Sequence, residues 1–148
     1  MKEIIIASGN RNKGKIRETQ EVLNEYKVIS MNELGIDIDV EENKNTFEGN
    51  AIKKAETIAK KIGGKMCIAD DSGIEIEFLD GFPGVLTKRW HSGTDRERNL
   101  AIIEKLKGVP KEKRKITFTT AIALSNGETT ICEKGTIAVF VAERPIRR

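Results

Sequence analysis

The sequence predicts an α/β domain with a mixed sheet and flanking helices, and three observations lead to this class. Short apolar runs typical of buried strands alternate with segments of helical periodicity. The turn Asn126-Gly127 joins two further strand-like segments as a hairpin. The chain has 148 residues, of which 38% are hydrophobic, so it is long enough to bury a core. Because the sequence contains no repeat or flexible linker, we expect residues 1–148 to form one domain.

Composition excludes several classes of protein. Lys and Arg number 26 against 23 Asp and Glu, and the resulting +3 is scattered along the chain, which argues against nucleic-acid partners and a membrane-surface helix. The apolar run Ile4–Ala7 is too short for a signal peptide or a membrane span. Cys67 and Cys132 lie in apolar runs without CxxC or metal-ligand spacing. We therefore expect buried free thiols and a cytoplasmic location.

Local patterns place the elements of the N-terminal half. We predict a strand at Glu3–Ser8, a polar loop at Gly9–Gly14, a helix at Lys15–Tyr26 and a strand at Val28–Met31. Apolar residues at 36, 38 and 40 alternate with acidic residues, which predicts a half-buried strand. Asn45, with Glu48 three residues later, is expected to cap the next helix, which ends at Gly63-Gly64.

The C-terminal half continues the alternation. A buried strand at Met66–Ala69 runs into Asp70-Asp71-Ser72-Gly73, where Ser72 and Gly73 are expected to complete a tight turn. Thr94 and Glu97 form a capping box for a helix that ends before Pro110. Strands at residues 116–124 and 128–141 flank the hairpin turn.

The loop Ser8–Lys15 is the first candidate for binding chemistry. It lies between a strand and a helix, where backbone N–H groups and the helix N-terminus attract anions. It reads G-x-x-x-x-G-K, but Ile16 stands where a Walker A loop needs Ser or Thr to hold Mg²⁺. We therefore favour phosphate binding by this loop over a solvated basic turn and over a P-loop ATPase.

Carboxylates form the second candidate. Asp70 and Asp71 follow an apolar strand, where charge is costly unless it binds a cation or a proton, although an ordinary Asp-rich turn is the alternative. Glu42 has the parity of the buried face of the strand before it, so we expect it to share a metal with Asp71. Asn50 and Lys54 lie at helical spacing, either as a solvated edge or as a wall of the same cleft.

Taken in order, these segments resemble the inosine triphosphate pyrophosphatase family between Ile4 and Gly135. The matching motifs are Ser8-Gly9-Asn10 with Lys13, Thr46-Phe47 with Asn50-Ala51 and Lys54-Ala55, Asp70-Asp71-Ser72-Gly73, Pro83-Gly84 with Arg89, and a similar helix that begins at Arg98-Asn99-Leu100. The resemblance implies an elongated α/β fold of two lobes, usually a homodimer. It also implies Mg²⁺-dependent hydrolysis of dITP, ITP or XTP to the monophosphate and pyrophosphate, with this small molecule as the partner.

The resemblance also implies roles for single residues. Asp71 looks like the catalytic carboxylate and, together with Glu42, a metal contact. The residues that look like contacts to the substrate phosphates are Ser8, Gly9, Asn10, Arg11, Asn12, Lys13, Lys54 and Ser72. The family pairs its loop lysine with a Glu three residues on, a spacing that Lys15 has and Lys13 lacks. The choice between these two lysines therefore stays open.

The resemblance weakens after Gly135. The family continues into Phe-Gly-Tyr-Asp and Ser-His-Arg segments that recognise the purine base, and residues 136–148 contain neither. The resemblance thus implies a member that lacks the final C-terminal elements. Two functions follow: an active enzyme of nucleotide-pool house-cleaning, or a catalytically impaired remnant that binds nucleotide or metal.

Overall fold

The computed structural model describes residues 2–8 and 13–144. Helices and strands alternate along the chain as the periodicity predicts. The elements of the described residues are β1 (Lys2–Ile6), α1 (Lys13–Val22), β2 (Tyr26–Ser30), α2 (Phe47–Lys61), β3 (Cys67–Ile76), α3 (Asp95–Lys105), β4 (Lys115–Ser125) and β5 (Thr130–Phe140).

The strands form one five-stranded sheet in the order β2-β1-β3-β4-β5. β1 is parallel to both of its neighbours, and Ile5 is paired with Ile29 of β2 and with Cys67 of β3. The connections before β2 and β3 contain α1 and α2, as crossovers between parallel strands require. β4 and β5 are joined at Asn126, whose side-chain oxygen accepts hydrogen bonds from the backbone of the next residues. The predicted mixed α/β sheet is confirmed.

The chain divides into two compact units, and each has its own core. The first unit contains the residues up to Asp71 together with Ala121–Lys134, and the second contains Ser72–Thr120 and the residues from Gly135 onward. The core of the first unit consists of Ile5, Ile29, Met31, Ile58, Ala59 and Cys67. Each buried Ile contributes roughly 1.5–3 kcal/mol by leaving water. This core joins α2 to β1, β2 and β3.

The core of the second unit lies around α3. Its buried residues are Ile76, Ile102, Leu106, Val109 and Ile116. Trp90 is partly buried and packs against this core. Thr94 caps α3 as predicted, because its hydroxyl accepts a hydrogen bond from the Glu97 N–H at 3.1 Å.

Several predicted boundaries differ from the structure by a few residues. Helix α1 runs from Lys13 to Val22 rather than from Lys15 to Tyr26, and Tyr26 begins β2. Thr46, not Asn45, is the N-cap of α2, and its hydroxyl accepts from the Gly49 N–H at 2.9 Å. Sequence distinguishes poorly between neighbouring Asn and Thr because both side chains can cap a helix.

Two predicted local structures are also wrong. Residues 36–42 have no regular secondary structure and are not part of the sheet, although their alternate burial is as predicted. β3 does not turn at Ser72-Gly73 but continues to Ile76, since these residues keep extended pairing partners. Both cysteines are free, as predicted; Cys67 is fully buried, whereas Cys132 is half-buried.

Candidate active site

A buried carboxyl group lies at the centre of the candidate site. Asp71 is only 5% exposed and follows Cys67 and Ala69 on the same face of β3, since side chains of a strand alternate between faces. Cys67 packs with Ile58 of α2, so this face is the one that α2 covers. The strand therefore directs an acidic side chain toward a helix that is otherwise apolar on this side.

Helix α2 meets this carboxyl group with an amide. Asn50 has no exposed surface and lies two turns before Ile58, on the same helical face. Its Nδ2 donates a hydrogen bond to Asp71 Oδ2 at 3.0 Å. Its Oδ1 accepts one from the backbone N–H of Lys44 at 2.8 Å. Asn50 thus joins the carboxyl of Asp71 to the segment that precedes α2.

A second carboxylate reaches the same place from that segment. Glu42 is half-buried, as its parity with Ile38 and Val40 predicts. Lys54, one turn after Asn50, places its Nζ 3.4 Å from Glu42 Oε1. Glu42 is also close enough to Asp71 to act on it both by charge and by a hydrogen bond. The structure therefore brings Glu42, Asp71 and Lys54 together, as predicted.

The surroundings of Asp71 change its acidity. Burial raises the pKa of its carboxyl to about 6, because the charged form loses solvation. The hydrogen bond from Asn50 opposes this change in pKa, the neighbouring Glu42 adds to it, and the positive charge of Lys54 lowers it. The result is a carboxyl group that is ionised at neutral pH but takes up a proton in mildly acidic solution.

The adjacent carboxylate, Asp70, has a different partner. Neighbouring residues of a strand point to opposite faces, and Asp70 is half-buried on the face away from Asn50. Its Oδ1 lies 2.5 Å from the Nζ of Lys15 at the start of α1. Lys13 is exposed and borders a groove with Arg17 and Gln20. Of the two candidate lysines, Lys15 is therefore the one that lies next to the Asp70-Asp71 pair.

The remaining predicted contacts lie just after β1, within β3 or outside the described residues. Ser8 is half-buried just after β1, while Gly9, Asn10, Arg11 and Asn12 lie outside the described residues. Ser72 belongs to the second unit, where its hydroxyl oxygen is 3.0 Å from that of Thr120. Their predicted role in phosphate binding stays a prediction.

Glu42 and Asp71 are the two carboxylates of this site that could contact a metal ion. Within residues 2–8 and 13–144, no three His, Cys, Asp or Glu side chains form a cluster that could hold a metal without other ligands. Mg²⁺ in nucleotide sites is usually held by one or two carboxylates, with substrate phosphates and water completing six positions. Glu42 and Asp71 supply two carboxylates beside each other. They would therefore need the oxygen atoms of a phosphate substrate as further ligands.

Two features of the site were not predicted from sequence. The ion pair of Lys15 and Asp70 joins residues that are distant in the chain, and no local pattern marks it. Asn50 was predicted as a possible wall of the cleft, but its hydrogen bond to Asp71 was not; it stands one residue before Ala51 on the side of α2 that becomes buried. A polar residue with no access to water needs hydrogen-bond partners. Had Asn50 been assigned to the buried face of α2, the sequence would have indicated that such partners exist.

Comparison with known proteins places this chain in a family. The Ham1 family matches residues 4–147. A dITP/XTP pyrophosphatase of Bacillus subtilis (strain 168) is 43% identical over 150 residues, covering 98% of this chain and 74% of the relative. A dITP/XTP pyrophosphatase of Clostridium perfringens is 39% identical over 144 residues, covering 90% and 70%.

Solved structures agree with the sequence comparison. The Ham1 protein of Staphylococcus aureus superposes with a TM-score of 0.86 at 38% identity, covering 96% of this chain and 73% of that one. The HAM1 protein of Coxiella burnetii superposes with a TM-score of 0.88 at 35% identity, covering 99% and 76%. These likenesses confirm the fold and the family resemblance predicted from the motifs. The chain therefore belongs to the Ham1 family.

Proposed function

We propose that this chain hydrolyses dITP, XTP and ITP to the nucleoside monophosphate and pyrophosphate. The observation that supports this most directly is the buried carboxyl of Asp71, which lies beside Glu42 and is held by Asn50. The substrate class comes from relatives that are named dITP/XTP pyrophosphatases. A site of two carboxylates and nearby lysines suits a triphosphate. The lysines attract the phosphates directly, and the carboxylates can hold a cation that binds them.

Binding of the substrate is assigned to the cationic side chains. Lys54 and Lys15 lie on either side of β3, and each is paired with a carboxylate of the site. An ammonium group that is already held by a carboxylate needs little reorganisation to donate to a phosphate oxygen. We include Ser8 and Ser72 as further contacts, as the family resemblance implies, and of the two loop lysines we favour Lys15 over Lys13.

The chemical step is assigned to Asp71. A water molecule adds across the anhydride between the α and β phosphorus atoms: its oxygen bonds to one phosphorus, and the bridging oxygen leaves with the other. Asp71 orients this water or accepts its proton, and a pKa near 6 makes it a better base than an ordinary carboxylate at neutral pH. Asn50 and Lys54 keep the carboxyl of Asp71 and that of Glu42 in place.

A divalent cation belongs to this proposal. Glu42 and Asp71 would hold Mg²⁺, which when bound neutralises the negative charge that the phosphates present to the attacking water. The half-buried position of Glu42 and the burial of Asp71 support this assignment, since paired carboxylates are otherwise costly to bury. We expect hydrolysis to require Mg²⁺ and to stop in chelator.

The test is pyrophosphate release by the purified protein from dITP, XTP, dGTP and ATP, with Mg²⁺ and with EDTA. We expect metal-dependent release from dITP and XTP, with far less from dGTP and ATP. Inorganic phosphate is measured in parallel, because stepwise loss of the γ-phosphate would contradict cleavage at the α–β bond. Absence of both products with every nucleotide would overturn the proposal in favour of a binding protein.

A matched pair of variants makes this test specific to the site. Asp71→Asn should reduce pyrophosphate release by at least about 100-fold, since removing a general base typically costs 10²–10⁴ in rate. Asp37→Asn makes the same chemical change at an exposed position of the first unit and should leave the rate unchanged. Equal activity of both variants would remove Asp71 from its proposed role.

The wider biology follows from the same proposal. Removal of dITP and XTP would serve nucleotide-pool house-cleaning, and this role predicts a cytoplasmic location and, by family resemblance, a homodimer. Among the described residues, no helix is long and apolar enough to cross a membrane. Light scattering of the purified protein measures the assembly state directly. A monomer at assay concentration would contradict the predicted homodimer.

A further inference from the structure

We infer that Asn50 is a positioning residue for the metal site: it fixes the orientation of the Asp71 carboxylate and its spacing from Glu42. This inference rests on the proposed function. Asn50 is completely buried in the first turn of α2, and it makes hydrogen bonds to two separate parts of the first unit. Neither bond is needed to form the helix, which Thr46 already caps.

The chemistry of the amide leaves one orientation. The backbone N–H of Lys44 can only donate, so the atom of Asn50 that faces it must be the carbonyl oxygen. The amide nitrogen is therefore turned toward Asp71, where it can only donate and requires an acceptor. This arrangement favours a carboxylate whose Oδ2 is held and whose Oδ1 is left for other partners.

The same side chain also fixes the segment that contains Glu42. Lys44 is two residues after Glu42, and its backbone is tied to Asn50 Oδ1. The segment lies so close to α2 that a Cβ added at Gly49 would stand 2.9 Å from Cβ of Lys44. Gly49 thus permits the close approach that the hydrogen bond of Asn50 then fixes.

These contacts hold the two carboxylates near each other. Without the Asn50 amide, Asp71 is free to rotate away from the negative charge of Glu42, and the segment before α2 loses its buried anchor. Replacing a residue that orients a metal ligand typically lowers metal affinity or activity by 10- to 100-fold. Asn50 therefore holds both expected ligands ready for the ion.

The test replaces Asn50 by Leu, which has a similar volume but no hydrogen-bonding groups, and measures Mn²⁺ binding by calorimetry without nucleotide. We expect the Kd for Mn²⁺ to rise by about 10- to 100-fold. The kcat for dITP should fall by a comparable factor, while the KM at saturating Mg²⁺ should change by less than about threefold. Asn50→Ser is a smaller change that leaves room for water, and it should also raise the Kd for Mn²⁺. This variant is used for the same measurement if Asn50→Leu does not fold.

The control is Asn32→Leu. Asn32 is also in the first unit, and its Nδ2 donates to the Ile36 carbonyl at 3.1 Å. Its replacement should lower the melting temperature without changing the Kd for Mn²⁺. Unchanged Mn²⁺ binding in folded Asn50 variants, or an equal loss in Asn32→Leu, would overturn the positioning role. If the wild-type protein releases no pyrophosphate, the proposed function fails, whereas Mn²⁺ binding still decides the role of Asn50.

Discussion

The ammonium group of Lys15 lies 2.5 Å from Oδ1 of Asp70, the residue next to the proposed catalytic carboxyl. This ion pair joins the start of α1 to β3 on the face opposite Asn50. A cation is thereby held beside the Asp70-Asp71 pair. Lys13, two residues earlier, is exposed and borders a groove formed mainly by α1.

We therefore predict that Lys15 contributes more to nucleotide binding than Lys13. Lys15→Gln should raise the KM for dITP by about 10- to 100-fold, since a charge-assisted hydrogen bond contributes roughly 1.5–3 kcal/mol. Lys13→Gln should change it by less than about threefold. Steady-state kinetics of the two variants provides the comparison. A larger effect at Lys13 would support the phosphate contact predicted there and reverse this assignment.

A second prediction is that Asp71→Asn inactivates the enzyme yet stabilises the metal-free protein at pH 8. Burial raises the pKa of Asp71 from 3.8 to about 6, so the folded state binds this proton more tightly than the unfolded chain does. The Asp71 carboxyl therefore makes its whole contribution to the free energy of unfolding below about pH 4, and this contribution is lost as the pH rises through about 6. The neutral amide avoids that loss.

Urea denaturation in EDTA measures this effect. At pH 8 we expect Asp71→Asn to raise the free energy of unfolding by about 1–3 kcal/mol, and below pH 4 we expect little difference from the wild type. The amide oxygen can still accept the hydrogen bond from Asn50, so packing is preserved. A gain of equal size at both pH values would show that the charge of Asp71 is not its cause.

The acidity of Asp71 also predicts how metal binding depends on pH. A carboxyl must lose its proton to bind a cation, so protons compete with Mn²⁺ below about pH 6. We expect the Kd to rise on the order of tenfold between pH 7 and pH 5. Glu42, Lys54 and Asn50 act on this carboxyl. Calorimetry with Mn²⁺ across this range tests the prediction, and a Kd that is constant down to pH 5 would contradict it.

A fourth prediction concerns the second unit, where Arg114 is 2% exposed and lies beyond α3. Its guanidinium donates to backbone carbonyls of Leu106, Val109, Val141 and Ala142. Arg114→Met leaves these acceptors without donors and should lower the free energy of unfolding by about 2–4 kcal/mol.

Arg114→Lys should recover only part of this loss, because one ammonium group cannot reach carbonyls on both sides of the planar guanidinium. Lys113→Met removes a neighbouring exposed cation and should change stability by less than about 0.5 kcal/mol. Urea denaturation of the three variants measures these differences. Similar stability of Arg114→Met and the wild type would show that water replaces the guanidinium at little cost.

Features that arise from neighbouring residues could be predicted from the sequence alone. The Thr94 cap of α3, the hairpin turn at Asn126 and the half-buried side of Glu42 follow from capping chemistry, turn chemistry and a period of two. These are local preferences, and tertiary packing did not change them. The five motifs in order also predicted the family, because each match is short but their order is improbable by chance.

How these residues meet depends on tertiary packing, which no local pattern describes. The segment at 36–42 keeps its alternate burial but is not part of the sheet, and its apolar side packs against the first core instead. The contact between Asn50 and Asp71 joins residues 21 positions apart, and the ion pair of Lys15 and Asp70 spans a longer separation. Hydrophobic periodicity and helix capping depend only on residues that are close together in the sequence. Which lysine reaches a carboxylate, and which amide holds it, depends on how β3 lies between two helices, and that is set by burial of the whole core.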